Sequence, residues 1–204
     1  MTILYTDVDA YLCQWMNNLI RDRHLPPGEV LCADARKLKP SQLTGREQVH
    51  LFAGIGGWAL AAKMAGWPSE ITLMTASVPC QPFSRGGKRR GVLDDRHLWP
   101  ETARLIETTA PFVVVGEQVW EGPARDWWRQ VYGDLTRMGY RASGVLVEAV
   151  DVGAPHRRPR IYWRAVGNAD RNRLASAAAS RALRNQAVKP SAASLRPWKR
   201  FEIV

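Results

Sequence analysis

Cysteine is scarce in this 204-residue chain, and Cys13, Cys32 and Cys80 are the whole supply. An odd number without paired spacing argues against a disulfide framework, and none of the three stands in a Cys/His array of the kind that holds zinc. No metal site is expected. No apolar run reaches the ~18 residues that a membrane helix needs. Met1 to Asp7 lacks the basic start and long apolar core of a secretion signal. The expectation is a chain of the reducing cytoplasm.

Acidic residues are the second shortage: Asp and Glu number 19 against 29 Lys and Arg, a net charge of +10. Such a balance points to a polyanionic partner, most simply nucleic acid. The remainder is ordinary for a globular protein, with 46% hydrophobic and 24% charged residues. A chain of this size suits one domain with a true core.

Short apolar runs alternate with helix-like segments, the pattern of an α/β domain. Strands are expected at Thr2–Thr6, Glu29–Cys32, Gln48–Phe52, Ile71–Ala76, Pro111–Val115, Ser143–Val150 and Arg160–Val166. Helices are expected at Asp9–Arg23, Trp58–Ala65, His97–Thr108 and Arg125–Met138. In the first of these Leu12, Trp15, Met16, Leu19 and Ile20 recur at helical spacing. From residue 168 the character changes to Ala, Ser and Arg with little apolar period. Residues 1–167 therefore read as the folded domain, and 168–204 as a basic, flexible tail with a helix around Leu174–Leu183.

Four constellations carry chemistry. Phe52-Ala53-Gly54-Ile55-Gly56-Gly57 follows a strand and precedes a helix, where glycines let the backbone approach a ligand. Pro79-Cys80-Gln81-Pro82-Phe83-Ser84 sets a thiol between two prolines, close to Arg85, Lys88 and Arg89. Prolines fix a loop there, and the cations favour a thiolate. Taken alone, that thiol reads equally as a nucleophile or as a small buried apolar group. Glu117 and Gln118 come at the carboxyl end of an apolar strand, where open α/β sheets bind ligands. Last, Arg157, Arg158 and Arg160 follow His156 and suit recognition of an anion or a carbonyl.

In this order the four constellations resemble the DNA cytosine carbon-5 methyltransferases, in variants similar to those of phage and prophage members. Phe52 to Gly57 matches that family's FAGxGG motif, which binds S-adenosylmethionine. Pro79 to Ser84, with Gly87-Lys88 and Asp95-Arg96, resembles its catalytic loop. Glu117-Gln118-Val119 is similar to Glu-Asn-Val, and His156 to Arg160 to Gln-x-Arg-x-Arg. The resemblance implies a Rossmann-like methyltransferase fold, a mostly parallel sheet with an antiparallel strand. In the family two acidic cofactor motifs follow the glycine turn. Here Asp7-Val8 and Asp34 resemble them but come first, which implies a circularly permuted sheet. Family members also carry a target-recognition region, for which this sequence shows no counterpart after Arg160; weak sequence preference, or recognition supplied by a second chain, is the expectation.

By that resemblance Cys80 is the nucleophile on cytosine carbon-6, because carbon-5 is too poor a nucleophile by itself. Glu117 holds the ring nitrogen and amine, and Arg158 and Arg160 lie near the base carbonyl. The cofactor is held by Phe52 to Gly57 with Asp7, Val8, Asp34 and Pro79. Gln81, Ser84, Arg85, Lys88, Arg89 and Arg96 face DNA, whose target base must leave the stack to reach the thiol. The site of action is DNA in a bacterial cytoplasm. A competing expectation is a catalytically degenerate DNA-binding protein that keeps the fold.

Overall fold

The computed structural model describes residues 2–79, 98–122, 124–167 and 200–201. Eight strands form one sheet: β1 (Ile3–Asp7), β2 (Glu29–Cys32), β3 (Gln48–Leu51), β4 (Leu73–Ala76), β5 (Val113–Val119), β6 (Tyr140–Val147), β7 (Arg160–Gly167) and β8 (Arg200–Phe201). Their spatial order is β2-β1-β3-β4-β5-β7-β6-β8. The first five are mutually parallel, and β7 runs antiparallel to both β5 and β6. The two-residue β8 pairs antiparallel to β6, so part of the segment read as a tail adds to the sheet edge. The expected helix at 174–183 lies outside the described residues.

Among the described residues five α-helices flank the sheet: α1 (Ala10–Arg21), α2 (Pro40–Leu43), α3 (Gly57–Met64), α4 (Trp99–Thr109) and α5 (Ala124–Arg137). The helix expected from Asp9 starts one residue later because the Asp9 carboxylate caps it, accepting from Tyr11 N at 2.8 Å. Two boundaries moved further. The strand expected to end at Val115 continues to Val119, and the one expected over Ser143–Val150 occupies Tyr140–Val147. Both shifts follow from β7, whose ladder pairs Val119 with Arg160 and Tyr140 with Gly167. Ala149–Val152 instead forms a 3-10 turn, in which Glu148 N donates to the Asp151 carboxylate at 2.9 Å.

Alternation along the strands gives the sheet two apolar faces. On one, Ile3 and Tyr5 of β1 pack with Cys13 and Met16 of α1 and Ala59 of α3. On the other, Leu4, Val49, Leu51, Met74 and Val114 meet Leu43 of α2, Leu105 and Ile106 of α4, and Trp127 and Trp128 of α5. The aromatic centre of this second layer is Trp99, edge-on to Trp127 at 6.0 Å and to Trp163 at 6.1 Å. Such pairs add about 0.5–1.5 kcal/mol each beyond burial.

The faces also fix the hand of each crossover. Helix α1 links β1 to β2 and α3 links β3 to β4 on the same face, yet the two units step across the sheet in opposite directions. Their hands are therefore opposite. The β2-to-β3 connection and β4-α4-β5 lie on the other face and step as β3-to-β4 does, so they share the hand of β1-α1-β2. Parallel crossovers are right-handed in about 98% of cases. The exception here is β3-α3-β4, the unit that begins with the glycine turn.

Candidate active site

The carboxyl ends of the parallel strands meet at one edge of the sheet, and each delivers a residue singled out above. Strand β1 ends on Asp7, β3 leads into Phe52, β4 leads to Ser77-Val78-Pro79, and β5 carries Glu117 and Gln118 near its end. Asp34 follows β2 directly.

The turn after β3 takes three left-handed residues, with φ of 52° at Phe52, 56° at Gly54 and 79° at Gly56. A phenylalanine in that region stores about 1–3 kcal/mol of strain that its surroundings must hold. The end of β1 does so: Ala53 N donates to Thr6 O at 2.9 Å, and Gly54 N donates to Asp7 Oδ2 at 2.9 Å. The other Asp7 oxygen accepts from Asp9 N at 3.0 Å. One carboxylate thus ties the glycine turn to the start of α1.

The glycines differ in what holds them. Gly56 is left-handed, with a φ of 79°, and a Cβ there would also press on Leu25 Cδ1 at 2.4 Å. At Gly54 and Gly57 a Cβ would meet nothing within 4 Å. Gly57 has no left-handed backbone either, so neither packing nor backbone conformation within the chain demands a glycine there. Val8 and Ile55 are exposed apolar side chains.

Asp34 is already committed. Its carboxylate accepts from Arg36 N at 2.9 Å and from the Arg36 guanidinium, with Nη2 at 2.5 Å. The Arg36 hydrogen bonds hold its pKa down to about 2.

Glu117 stands beside Arg160, with Arg160 Nε 2.7 Å from Glu117 Oε1. Burial raises the proton affinity of Glu117, and the nearby Arg160 and Arg158 charges offset part of that rise. Arg160 also donates to Pro159 O at 2.8 Å. Arg158 is exposed, with a left-handed φ of 42°. Arg157 turns away to pair with Glu148 at 2.9 Å and is solvated. Of the expected arginines, Arg160 contacts Glu117 directly and Arg158 acts on it through its charge.

Cys80, Gln81, Ser84, Arg85, Lys88, Arg89 and Arg96 lie outside the described residues. Pro79 ends the described part of that strand and is half-buried. Three further residues at this edge had no role assigned from sequence. Trp58 Nε1 donates to Ser77 Oγ at 2.9 Å, and its ring meets Tyr162 edge-on at 6.1 Å. Tyr162 in turn lies opposite Glu117 in the β5–β7 ladder. The only sequence signals for them were adjacency of Trp58 to the glycine turn and of Ser77 to the cysteine loop. A separate hollow of about 710 Å³, lined by Leu25, Pro26, Gln48 and Trp67, lies at the amino ends of the strands, away from these groups.

Residues 66–196 match the family described as C-5 cytosine-specific DNA methylase. This chain belongs to that family. The match begins beyond the glycine turn, so Asp7, Asp34 and Phe52–Gly57 precede it. Among curated relatives, Type II methyltransferase M.NgoMIV of Neisseria gonorrhoeae is 32% identical over 140 residues, covering 67% of this chain and 41% of the relative. M.HhaI of Haemophilus parahaemolyticus is 28% identical over 165 residues, covering 62% of this chain and 50% of the relative. The chain therefore spans about half the length of these relatives or less. A triple mutant of DNMT2 from Spodoptera frugiperda has a similar fold, with a TM-score of 0.50 at 18% identity over 82% of this chain and 43% of that one. EhMeth of Entamoeba histolytica likewise gives 0.50 at 15% identity, over 81% and 52% of the two chains. In this member of the family Asp7, the glycine turn, Pro79 and Glu117 all follow or end parallel strands at one edge of the sheet.

Proposed function

We propose that this chain transfers a methyl group from S-adenosylmethionine to carbon-5 of cytosine in DNA, by way of a covalent bond between Cys80 and the base. The observation that carries the reading is the meeting of the glycine turn, the strand leading to Cys80 and the half-buried Glu117–Arg160 pair at one edge.

The residues present fit the cofactor. The space over Gly54 and Gly57 is open where a side chain would stand, and Phe52 begins the same turn. Asp7 stands ready at the end of β1 for a ribose hydroxyl, with Val8 next to it, while Ala53, Ile55 and Gly56 shape the turn. Asp34, the residue resembling the reader of the adenine amine, must share its carboxylate with Arg36. Pro79, three residues beyond β4, is the remaining cofactor residue of this reading. When bound, S-adenosylmethionine supplies an electrophilic methyl group on sulfur.

The Cys80 thiolate adds to carbon-6 of cytosine and sends electron density to carbon-5. Glu117 bonds the ring nitrogen and the exocyclic amine. Its raised proton affinity suits an acid that meets the base with a proton and steadies the charge as the carbon–sulfur bond forms. Arg160 orients Glu117 and, with Arg158, faces the base carbonyl. Once carbon-5 carries the methyl group, loss of its proton restores the ring double bond and expels Cys80 as the thiolate. Gln81, Ser84, Arg85, Lys88, Arg89 and Arg96 contact the flipped base or the phosphates, which gives affinity without sequence. Weak sequence preference, or target reading supplied by a second chain, completes this reading.

The reading extends to ancestry: the sheet is circularly permuted, of the phage or prophage kind. Strands β1 and β2, bearing Asp7 and Asp34, lie beside β3 although they precede it in the chain. Taking them from between α3 and β4 leaves α3 on its old face while the chain must now step the other way. The left-handed β3-α3-β4 unit supports this history.

The test is covalent trapping. With S-adenosylmethionine and DNA carrying 5-fluorocytosine, the wild-type chain forms a complex that survives denaturation, and Cys80→Ser does not. Equal yields from the two, or none from either, refute the enzyme and leave a DNA-binding protein with this fold.

A further inference from the structure

Strands β4 and β5 run in register from Leu73 opposite Val113 to Thr75 opposite Val115. Carried on, that register sets Ser77 opposite Glu117 and Val78 opposite Gln118. The backbone ladder stops short of them. Instead the Val78 carbonyl accepts from the Gln118 side chain, whose Nε2 lies 3.1 Å away. The amide's other end, Oε1, accepts from Val119 N at 2.9 Å. Gln118 is only 2% exposed, and its two partners allow one orientation of the amide. A side chain has taken the place of a main-chain bond just where the two strands part. Ligands of open α/β sheets enter at such places.

From the other side Trp58 holds the adjacent residue, Ser77, through its indole N–H. The tail of β4 is therefore fixed by the strand that carries Glu117 and by the helix that leaves the glycine turn. Both anchors lie within three residues of Cys80 along the chain.

We infer that Gln118 is a positioning residue, whose amide sets the spacing between the Cys80 end of β4 and the Glu117 strand. This rests on the methyltransferase reading above. An apolar residue of the same length leaves the Val78 carbonyl and Val119 N–H without partners. A glutamate keeps the acceptor for Val119 N–H but gives up the donor to Val78. The two substitutions therefore separate the bond that spans the strands from the bond within β5.

The test compares Gln118→Met and Gln118→Glu with wild type in 5-fluorocytosine trapping, with KM for S-adenosylmethionine measured alongside. Both variants trap about tenfold to hundredfold more slowly, the range a lost buried hydrogen bond commands, while KM changes less than about twofold. Wild-type trapping by Gln118→Glu overturns the inference, and so does a rise in KM that matches the fall in rate. If wild type itself fails to trap, the methyltransferase reading falls first. The inference is then decided by the alkylation rate of Cys80 with iodoacetamide, read by peptide mass in the cold. A several-fold difference between Gln118→Met and wild type upholds it, and equal rates overturn it.

Discussion

Replacing Gly116 by alanine puts the fold and the site to one measurement. An added Cβ would stand 2.3 Å from Ala76 O and 2.4 Å from Trp163 Cζ2. Ordinary contact needs more than 3 Å on both sides, so β4 and the indole must separate by the better part of an ångström. Neither yields easily, since one is strand backbone and the other a ring only 2% exposed. Overpacking of this kind costs about 1–3 kcal/mol, and a clash on two sides belongs at the upper end. For a domain of this size that is a fall in Tm of roughly 6–12 °C. Gly57→Ala is the matched control: its Cβ meets nothing, and alanine is the better helix former. Thermal unfolding by circular dichroism should show Gly116→Ala well below wild type and Gly57→Ala at or above it. A Gly116→Ala midpoint within about 2 °C of wild type would refute the close approach of β4, β5 and Trp163 on which the site geometry depends.

Gly57→Ala should nonetheless weaken S-adenosylmethionine binding several-fold by calorimetry, because the space it fills is held open for a ligand; unchanged affinity would place the cofactor elsewhere. Asp7→Asn leaves one acceptor for two backbone donors, Gly54 N and Asp9 N, and should cost about 1–3 kcal/mol, read as a fivefold to hundredfold rise in cofactor Kd. His50 is buried against Thr75 and Gln48, and burial lowers its pKa from 6.5 to about 4. Between those values the unfolded chain takes up a proton that the folded chain does not, so stability falls as pH drops. Urea unfolding should show about 2 kcal/mol less stability at pH 5 than at pH 7 from this group, a difference missing in His50→Gln. Glu117 has the opposite sign: its proton affinity is raised in the fold, so its contribution is full below the ordinary carboxylate range and is lost as pH rises. Glu117→Gln should therefore gain on wild type in urea midpoint from pH 4 to pH 8, while abolishing trapping.

Element positions were readable because burial on one or both faces imprints a period on the chain. The apolar run that opens β1 and the helical spacing from Leu12 to Ile20 needed no partner to be seen. Boundaries that a distant strand decides could not be read this way. Glu117 and Gln118 lie inside β5 only because β7, more than forty residues on, pairs with them. Phe52 to Gly57, Glu117 and Arg160 were legible as motifs, whereas the linkage of Trp58, Ser77 and Tyr162 came only with their contacts.

The amino-acid order by itself determined the α/β class, the excess of positive charge and the chemical types available for catalysis. Tertiary structure alone decided that α1 and α3 share a face, which makes one crossover left-handed. It also decided that Arg160 pairs with Glu117, that Asp34 is held by Arg36, and that an amide on β5 grips the strand leading to the thiol. Local sequence encodes preference and periodicity. Distances between residues far apart in the chain are set by how the whole sheet packs, and the chemistry of this site is a matter of those distances.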